Sequence, residues 1–233
     1  MKTSTIRCLC LLIALLMLSV TTDLWAQKSE TRNLEEFTGV RASEAITVFL
    51  KPGNKESARI EATGIALDEI ITKVMGKTLK IELERGNHHN IDVTVWVTYV
   101  NLEKISVSSA ASVTTESVIT SRKLDVQASS AGKANLEVDV EELDIDVSSA
   151  ANLKITGKAG SQNVHVSSSG SYYAYDLNSE VAIVSASSAG NAKVMASKKI
   201  EADASSAGSI RYKGNPEKVN IHSGSGGSTK KAN

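Results

Sequence analysis

The sequence predicts an all-β protein built as a parallel β-helix, or β-solenoid, with coils of about 19 residues and a right-handed coil as the expected hand. A short block of Ser, Ala and Gly recurs through the second half of the chain, and apolar residues alternate with polar ones on both sides of it. Alternation with a period of about two is typical of strands, whereas helices repeat about every 3.6 residues. Each repeat is therefore interpreted as a strand, a small-residue corner, a second strand and a polar turn.

The repeated block defines the coil, because it returns every 18 to 21 residues. We expect the glycines that close four of the copies to adopt positive φ, since glycine does so at little cost. A degenerate copy follows at Ser223. An antiparallel meander also has short strands at regular spacing, but it would tend to alternate two kinds of turn. The first serines and closing glycines of this structural corner motif are Ser108, Ser129, Gly132, Ser148, Ser167, Gly170, Ser187, Gly190, Ser205 and Gly208.

The first 26 residues have the order of a secretory signal peptide. Lys2 and Arg7 precede an apolar run over 9–20, and Ala26 is the expected cleavage position. The run is shorter than the roughly 18–20 residues that span a bilayer, so we expect no transmembrane segment in the mature chain. Both cysteines, Cys8 and Cys10, would leave with the signal. The protein is expected in the periplasm, at the cell surface or outside the cell.

Four segments follow from these patterns. Residues 1–26 are the signal peptide, and 27–107, which lack the block, form an N-terminal β segment that caps or starts the solenoid. Within it, Leu67 to Val74 could form a short helical turn. Residues 108–226 are the repeat solenoid. Residues 227–233 are rich in small polar residues and are expected to be a flexible tail.

Composition excludes several function classes. The chain has 233 residues with 26 basic and 26 acidic side chains. A formal charge of zero argues against a protein that binds nucleic acid or anionic lipid through a generally basic surface. Aromatic residues are only 4% of the chain, so the core must be built from Val, Ile, Leu and Ala.

Four aromatic residues are candidate ligand-binding residues. If Tyr172 and Ala174 face inward, Tyr173 and Tyr175 face outward, and Trp96 and Tyr99 are the other aromatics that could stack on a sugar ring or a partner protein. The alternative is ordinary covering of the sheet surface, since single exposed aromatics are normal.

Metal and catalytic sites have little support. His88 and His89 are adjacent, so on an extended chain their rings point apart, and no third ligand has recognisable spacing. The acids over 139–146 alternate with apolar residues, as on a solvated strand face, and lack a calcium-binding rhythm. The corner serines have no paired base or oxyanion motif. We therefore expect no metal, no cofactor and no enzymatic activity.

Several segments together carry a family resemblance: FTGVRASEAITVFL at 37–50, TLKIEL at 78–83, the serial SSAG blocks, YAYDL at 173–177 and IRYKGNP at 210–216. The chain resembles the putative auto-transporter adhesin "head GIN" domain family (DUF2807), which is common in exported Bacteroidetes proteins. The resemblance covers about 37–226 and implies an all-β, solenoid-like domain without established catalytic residues. The family's block is usually Ser-Gly-Ala-Gly, whereas six blocks here have Ser at the second position.

Three hypotheses for function remain. The first is an exported, non-enzymatic, adhesin-like binding or scaffolding domain of the cell envelope, whose partner is an unidentified glycan or envelope protein. The second is a polysaccharide-processing β-helix enzyme, although the clustered Asp with Arg or Lys that this chemistry requires is absent from the pattern. The third is a purely structural envelope protein.

Overall fold

The computed structural model describes residues 28–224 and 226–232, so the expected signal peptide lies outside the described residues. Within them the chain forms strands joined by tight turns, and its only helical element is a short 3-10 turn at Leu67–Glu69. The strands are β1 Lys28–Asn33, β2 Gly39–Ala42, β3 Thr47–Pro52, β4 Ser57–Thr63, β5 Ile70–Met75, β6 Thr78–Leu83, β7 Asp92–Tyr99, β8 Lys104–Val107, β9 Ser112–Thr115, β10 Ile119–Ala128, β11 Lys133–Val147, β12 Asn152–Val166, β13 Ser171–Ala174, β14 Leu177–Ala186, β15 Asn191–Met195, β16 Lys199–Ala204, β17 Ser209–Lys213, β18 Lys218–Ser223 and β19 Ser228–Lys231.

Successive coils stack through parallel ladders, which confirms the predicted solenoid. Val126 in β10 is aligned with Ile105 of the preceding coil and with Ile145 of the following one. Two main faces result. Face A contains the strand segments that end at a corner (β2, β8, β14, β16, β18 and the last parts of β10, β11 and β12), and face B contains those that follow a corner (β3, β9, β13, β15, β17, β19 and the first parts of β11 and β12).

The corner between the two faces is a turn with left-handed backbone at its two central residues. In the copy that begins at Ser148, Ser149 and Ala150 have φ of 51° and 58°, and the Ala151 N–H donates to the Ser148 carbonyl over 3.0 Å. Left-handed backbone costs an L-residue about 1–2 kcal/mol. Hydrogen bonds between the corners of successive coils offset part of this cost. In each, the third residue of one corner donates its N–H to the carbonyl of the second residue of the next corner, as Ala150 does to Ser168.

The expected positive φ of the closing glycines is wrong. Gly132, Gly170, Gly190 and Gly208 have no positive φ; the left-handed positions are the preceding Ser and Ala or Ser. Glycine is favoured at the fourth position because the backbone of the preceding coil lies close to it. A Cβ on Gly208 would lie 2.2 Å from the Ala186 carbonyl oxygen, and one on Gly132 would lie 2.7 Å from that of Val107. The glycines therefore permit close stacking of coils.

The N-terminal segment contains a corner that the block pattern missed. Ser43 to Ile46 form the same turn, with Glu44 and Ala45 at φ of 62° and 58°, so 27–107 contain the corner although their sequence lacks the small-residue block. The coil made of β2 and β3 lies between the coil of β8 and β9 and that of β6 and β7. After β1, the chain therefore enters the stack at β2 and β3, extends outward through β4 to β7, and returns at β8.

Antiparallel strands cover the N-terminal end of the stack. On face A, β5 pairs with β6, and on face B, β4 pairs with both β7 and β1. The helical turn expected from Leu67 to Val74 is confined to Leu67–Glu69, because Ile70–Met75 form β5. This arrangement protects the apolar interior and the open strand edge that a first coil would otherwise expose.

The C-terminal end is a further coil rather than a tail. Ser228–Lys231 form β19 and pair in parallel with β17, so the expectation of a flexible tail over 227–233 is wrong for these four residues. In the same coil, β18 is exposed along its length, and Val219 and Ile221 lie above the buried Ile200 and Ala202.

The interior of the described residues is mostly apolar, and Tyr172 lies in a buried polar network. This fully buried side chain donates its hydroxyl to the Gln162 Oε1 atom over 3.2 Å. The Gln162 amide in turn donates to Ser179 Oγ over 2.8 Å and to the Met195 carbonyl over 3.0 Å. Because buried polar groups are costly without partners, this network allows a tyrosine and a glutamine to replace aliphatic residues in the stack.

We predict that Gly208→Ala destabilises the protein more than Gly132→Ala does. The added Cβ at Gly208 meets the carbonyl of the preceding coil at the shorter distance, and overpacking of this kind costs roughly 1–3 kcal/mol. Urea unfolding of the mature chain measures the difference. Ser206→Gly is the control at the same corner: it relieves left-handed backbone at φ 47° and should not destabilise. Equal midpoints for Gly208→Ala and the unsubstituted chain would contradict the close-stacking explanation.

We predict that Gln162→Leu destabilises the protein by about 1–3 kcal/mol, because it leaves the buried Tyr172 hydroxyl without its acceptor. Adding Tyr172→Phe should recover part of the loss, since both partners are then apolar. His165→Ala, on the exposed side of the same strand, serves as the control and should change the free energy of unfolding little. Simple additivity of Gln162→Leu and Tyr172→Phe would argue against a coupled network.

Candidate functional site

Face B carries its outward side chains in straight rows, because its strands pair in register and most of them enter it from the same corner. The residue six positions after the first residue of a corner faces outward, and the ladders bring these residues side by side. The last corner begins at Gly224 rather than Ser223, so its row member is Lys230. The central row, in spatial order from the N-terminal end, is Thr31, Arg59, Trp96, Phe49, Thr114, Asn135, Lys154, Tyr173, Lys193, Arg211 and Lys230.

Tyr173 lies on the outer surface of face B and Tyr175 is half-buried in the turn after β13, while Tyr172 points into the core. Tyr173 is 37% exposed, and Lys193 Nζ lies 5.0 Å from the centre of its ring. Lys213 Nζ lies 4.8 Å from the ring of Tyr175. Burial raises the pKa of Tyr175, and the charge of Arg211 opposes this shift. Cation–π contacts therefore join the two tyrosines to the lysines of the following coils.

The C-terminal half of face B is basic. We call Lys154, Tyr173, Lys193, Arg211 and Lys230 the basic row. Among the described residues, none of its four cations forms an ion pair with a carboxylate. The neighbouring polar row, on the corner side, consists of Asn152, Ser171, Asn191, Ser209 and Ser228.

Several cations of face A and of the adjoining turns have carboxylate partners, although within the described part of the chain Arg41 and Lys218 on that face do not. Lys104 pairs with Asp125 at 3.2 Å, and Lys123 pairs with Asp144 at 2.5 Å. Hydrogen bonding to Lys123 lowers the pKa of Asp144, and the same contact raises the pKa of Lys123. Further pairs join Arg122 to Glu142, Lys198 to Glu180 and Lys199 to Glu201. These pairs neutralise part of face A, whereas all four cations of the basic row lack a carboxylate partner among the described residues.

Trp96 lies in the central row but far from the tyrosines. Five strand spacings separate it from Tyr173, which is roughly 24 Å at about 4.8 Å per strand. The ring of Phe49 stacks on Trp96 with centroids 5.8 Å apart, and the Arg59 guanidinium lies 3.9 Å from its ring centre. Because these two residues cover it, Trp96 contributes to the surface of face B without an open ring face.

The placement of Tyr99 as a surface residue is wrong. Only 4% of Tyr99 is exposed, its hydroxyl is buried without a hydrogen-bond partner, and burial raises its pKa. It lies three residues from Trp96 on the same strand, so alternation directs the two side chains to opposite sides of the sheet. Tyr99 is therefore a core residue beneath the N-terminal cap.

The histidines and the acids over 139–146 do not form a metal centre. His88 Nε2 lies 2.9 Å from the Glu84 carbonyl, and His89 is exposed in the same loop. The acids follow the outer side of β11, with Asp144 paired to Lys123. Throughout 28–224 and 226–232, no three His, Cys, Asp or Glu side chains come close enough to hold a metal ion.

No helix among the described residues is long and apolar enough to cross a membrane.

Sequence reasoning identified Tyr173 on face B but missed the cations of that face. Lys154, Lys193 and Arg211 each lie six residues after a corner serine, so comparing the repeats at that offset would have revealed the row. Residues far apart in the chain are brought together only by the coil-to-coil register.

Comparison with known proteins places the chain among adhesin-like domains. It is similar in structure to a putative adhesin from Bacteroides fragilis, with 20% identity, a TM-score of 0.80, and coverage of 89% of this chain and 97% of that one. A putative lipid binding protein from Parabacteroides distasonis (17% identity, TM-score 0.69, 89% and 97% covered) and a putative adhesin from Parabacteroides merdae (14%, 0.69, 89% and 96%) have the same fold.

A search of curated proteins finds no match. The family model of the putative auto-transporter adhesin, head GIN domain, matches residues 36–216, which include the seven corners from Ser43 to Ser205 and most strands of both faces. The chain therefore belongs to the head GIN domain family of putative auto-transporter adhesins.

Proposed function

We propose that the mature chain is an exported, non-enzymatic binding or scaffolding domain of the cell envelope. The observation that carries this proposal is the straight, in-phase arrangement of outward side chains on face B. A flat surface with a regular repeat suits an extended polymer or another repetitive partner better than a small molecule, which concave sites bind. Membership of the adhesin-like family supports the same function.

On the opposite side of the molecule, acids and bases are paired with one another, which supports a structural role for them. Asp144, whose pKa is lowered by Lys123, stays ionised near neutral pH and is poorly suited to donate a proton. The Lys104–Asp125 pair likewise joins adjacent coils. These pairs join neighbouring strands of face A. We therefore assign ligand contact to face B.

We predict that the mature chain binds a glycan or envelope protein saturably and releases no product from it. A glycan array followed by titration of each hit measures binding, and reducing-end analysis of the incubated glycan measures turnover. Binding without new reducing ends is the expected result, because the proposal assigns no bond-breaking step to this surface. Release of shortened chains would overturn the proposal in favour of the polysaccharide-processing alternative.

We predict that the chain reaches the envelope through its N-terminal segment. Leu15→Arg, which interrupts the apolar run over 9–20, should hold the protein in the cytoplasm, whereas Ser4→Ala should leave export unchanged. Cell fractionation with N-terminal sequencing of the exported form is the measurement, and Gln27 is the expected first residue. Export of Leu15→Arg at the normal level would refute the proposed signal.

A further inference from the structure

We propose that the C-terminal half of face B binds an acidic polysaccharide lying along the basic row. This inference rests on the proposed binding function and adds the chemical class of the ligand. The carboxylate or sulfate groups of the polysaccharide are neutralised by four cations, Lys154, Lys193, Arg211 and Lys230. Tyr173 packs against one of its sugar rings.

Unbalanced charge is the first argument. Elsewhere on the described surface, most cations that lie beside an acid on a neighbouring strand are paired with it, as Lys104 is with Asp125 and Lys123 with Asp144. The cations of the basic row have no such partner among the described residues. Adjacent like charges repel one another, so an anionic ligand would relieve a repulsion that the fold itself leaves in place.

Spacing is the second argument. Lys193, Arg211 and Lys230 occupy three consecutive strands in direct register, so their backbones are about 4.8 Å apart. Lys154 lies one strand beyond Tyr173 in the same line. A linear acidic polysaccharide carries its charges at regular intervals along an extended chain, and this row places cations one or two strand spacings apart along a straight line.

Hydrogen-bonding capacity next to the charges is the third argument. The polar row beside the basic row presents amide and hydroxyl side chains: Asn152, Ser171, Asn191, Ser209 and Ser228. Apart from the buried Oδ1 atom of Asn191, such groups can donate to and accept from sugar hydroxyls. A depression of about 270 Å³, lined in part by Lys133, Asn135, Lys154 and Tyr173, extends the same surface toward the middle of the solenoid.

The basic row and the polar row together are better suited to a glycan than to an anionic membrane. Within these two rows, all of whose residues the structure describes, Tyr173 is the one large hydrophobic side chain that is exposed. Lys193 lies over the ring of Tyr173. Membrane-surface binding usually adds apolar side chains that enter the acyl boundary. A surface of cations, amides, hydroxyls and a partly covered tyrosine matches the polar chemistry of a charged sugar polymer.

A different depression shows why cations alone do not identify the site. A cavity of about 450 Å³ on the other side of the molecule is lined by four cations, Lys77, Lys104, Arg122 and Lys123. The last three are each paired with a carboxylate: Asp125, Glu142 and Asp144, respectively. Most of the positive charge at that cavity is therefore neutralised, and two of its paired cations supply a matched control for the test.

The test compares two double variants with equal loss of charge. Lys193→Gln with Arg211→Gln removes two neighbouring cations of the basic row, whereas Lys104→Gln with Lys123→Gln removes two paired cations on face A. Binding of the mature chain to polygalacturonate is measured by titration calorimetry at low and at physiological salt. The face B variant should bind about tenfold more weakly, since two exposed ionic contacts are lost, and the face A variant should bind as the unsubstituted chain does.

Matched probes separate the possible ligands. Dextran sulfate and neutral dextran share a backbone, so binding of the first alone supports recognition of the acid groups. If both double variants weakened glycan binding equally, the basic row would not be the binding site, and the binding would be a diffuse electrostatic attraction. Preferred binding to phosphatidylserine vesicles or to a DNA duplex, with no binding to either acidic glycan, would also overturn it. The mature chain could instead bind a neutral glycan, with binding unchanged in the Lys193→Gln, Arg211→Gln variant. That result would overturn the proposed site for an acidic glycan but would retain the proposed binding function.

Discussion

The left-handed corner is the constraint on which the rest of the structure depends. Two consecutive residues with positive φ reverse the chain within four residues, and the N–H of the third residue bonds to the next copy of the corner. This bond sets one corner above another, so both flanking strands begin in the same phase in every coil. The parallel ladders, the apolar stacks and the outward rows follow from that phase, because a shift of one residue would exchange the two sides of each strand.

The corner also explains the composition. Its central residues are exposed and strained, which favours small Ser and Ala, and its fourth residue lies against the preceding coil, which favours Gly or Ala. The narrow interior is filled by short aliphatic side chains, so aromatic residues are scarce. Where a large residue does enter, at Tyr172, a polar network with Gln162 and Ser179 accommodates it. Strain at the corners is thus balanced by burial and hydrogen bonding between coils.

The repeats allowed the parallel solenoid and its inward positions to be predicted, since periodicity reports both the strand phase and the coil length. The corner at Ser43 escaped notice because Glu44 interrupts the small-residue block and an excursion through the cap separates it from Ser108. Strand β19 was missed because a Gly/Ser-rich sequence is typical of linkers, whereas pairing with β17 makes it extended. Alternation located Tyr173, but the cations beside it depend on register between distant segments.

Modular growth is the consequence of the in-phase register on face B. Because each coil contacts chiefly its two neighbours, stability is approximately a sum over coils and their interfaces. Duplication of one coil in the middle of the stack would bury a similar core and lengthen every outward row by one strand spacing, about 4.8 Å. The reach of the surface could then change between related proteins in discrete steps, by gain or loss of whole coils, while the chemistry of each position in the row varied independently.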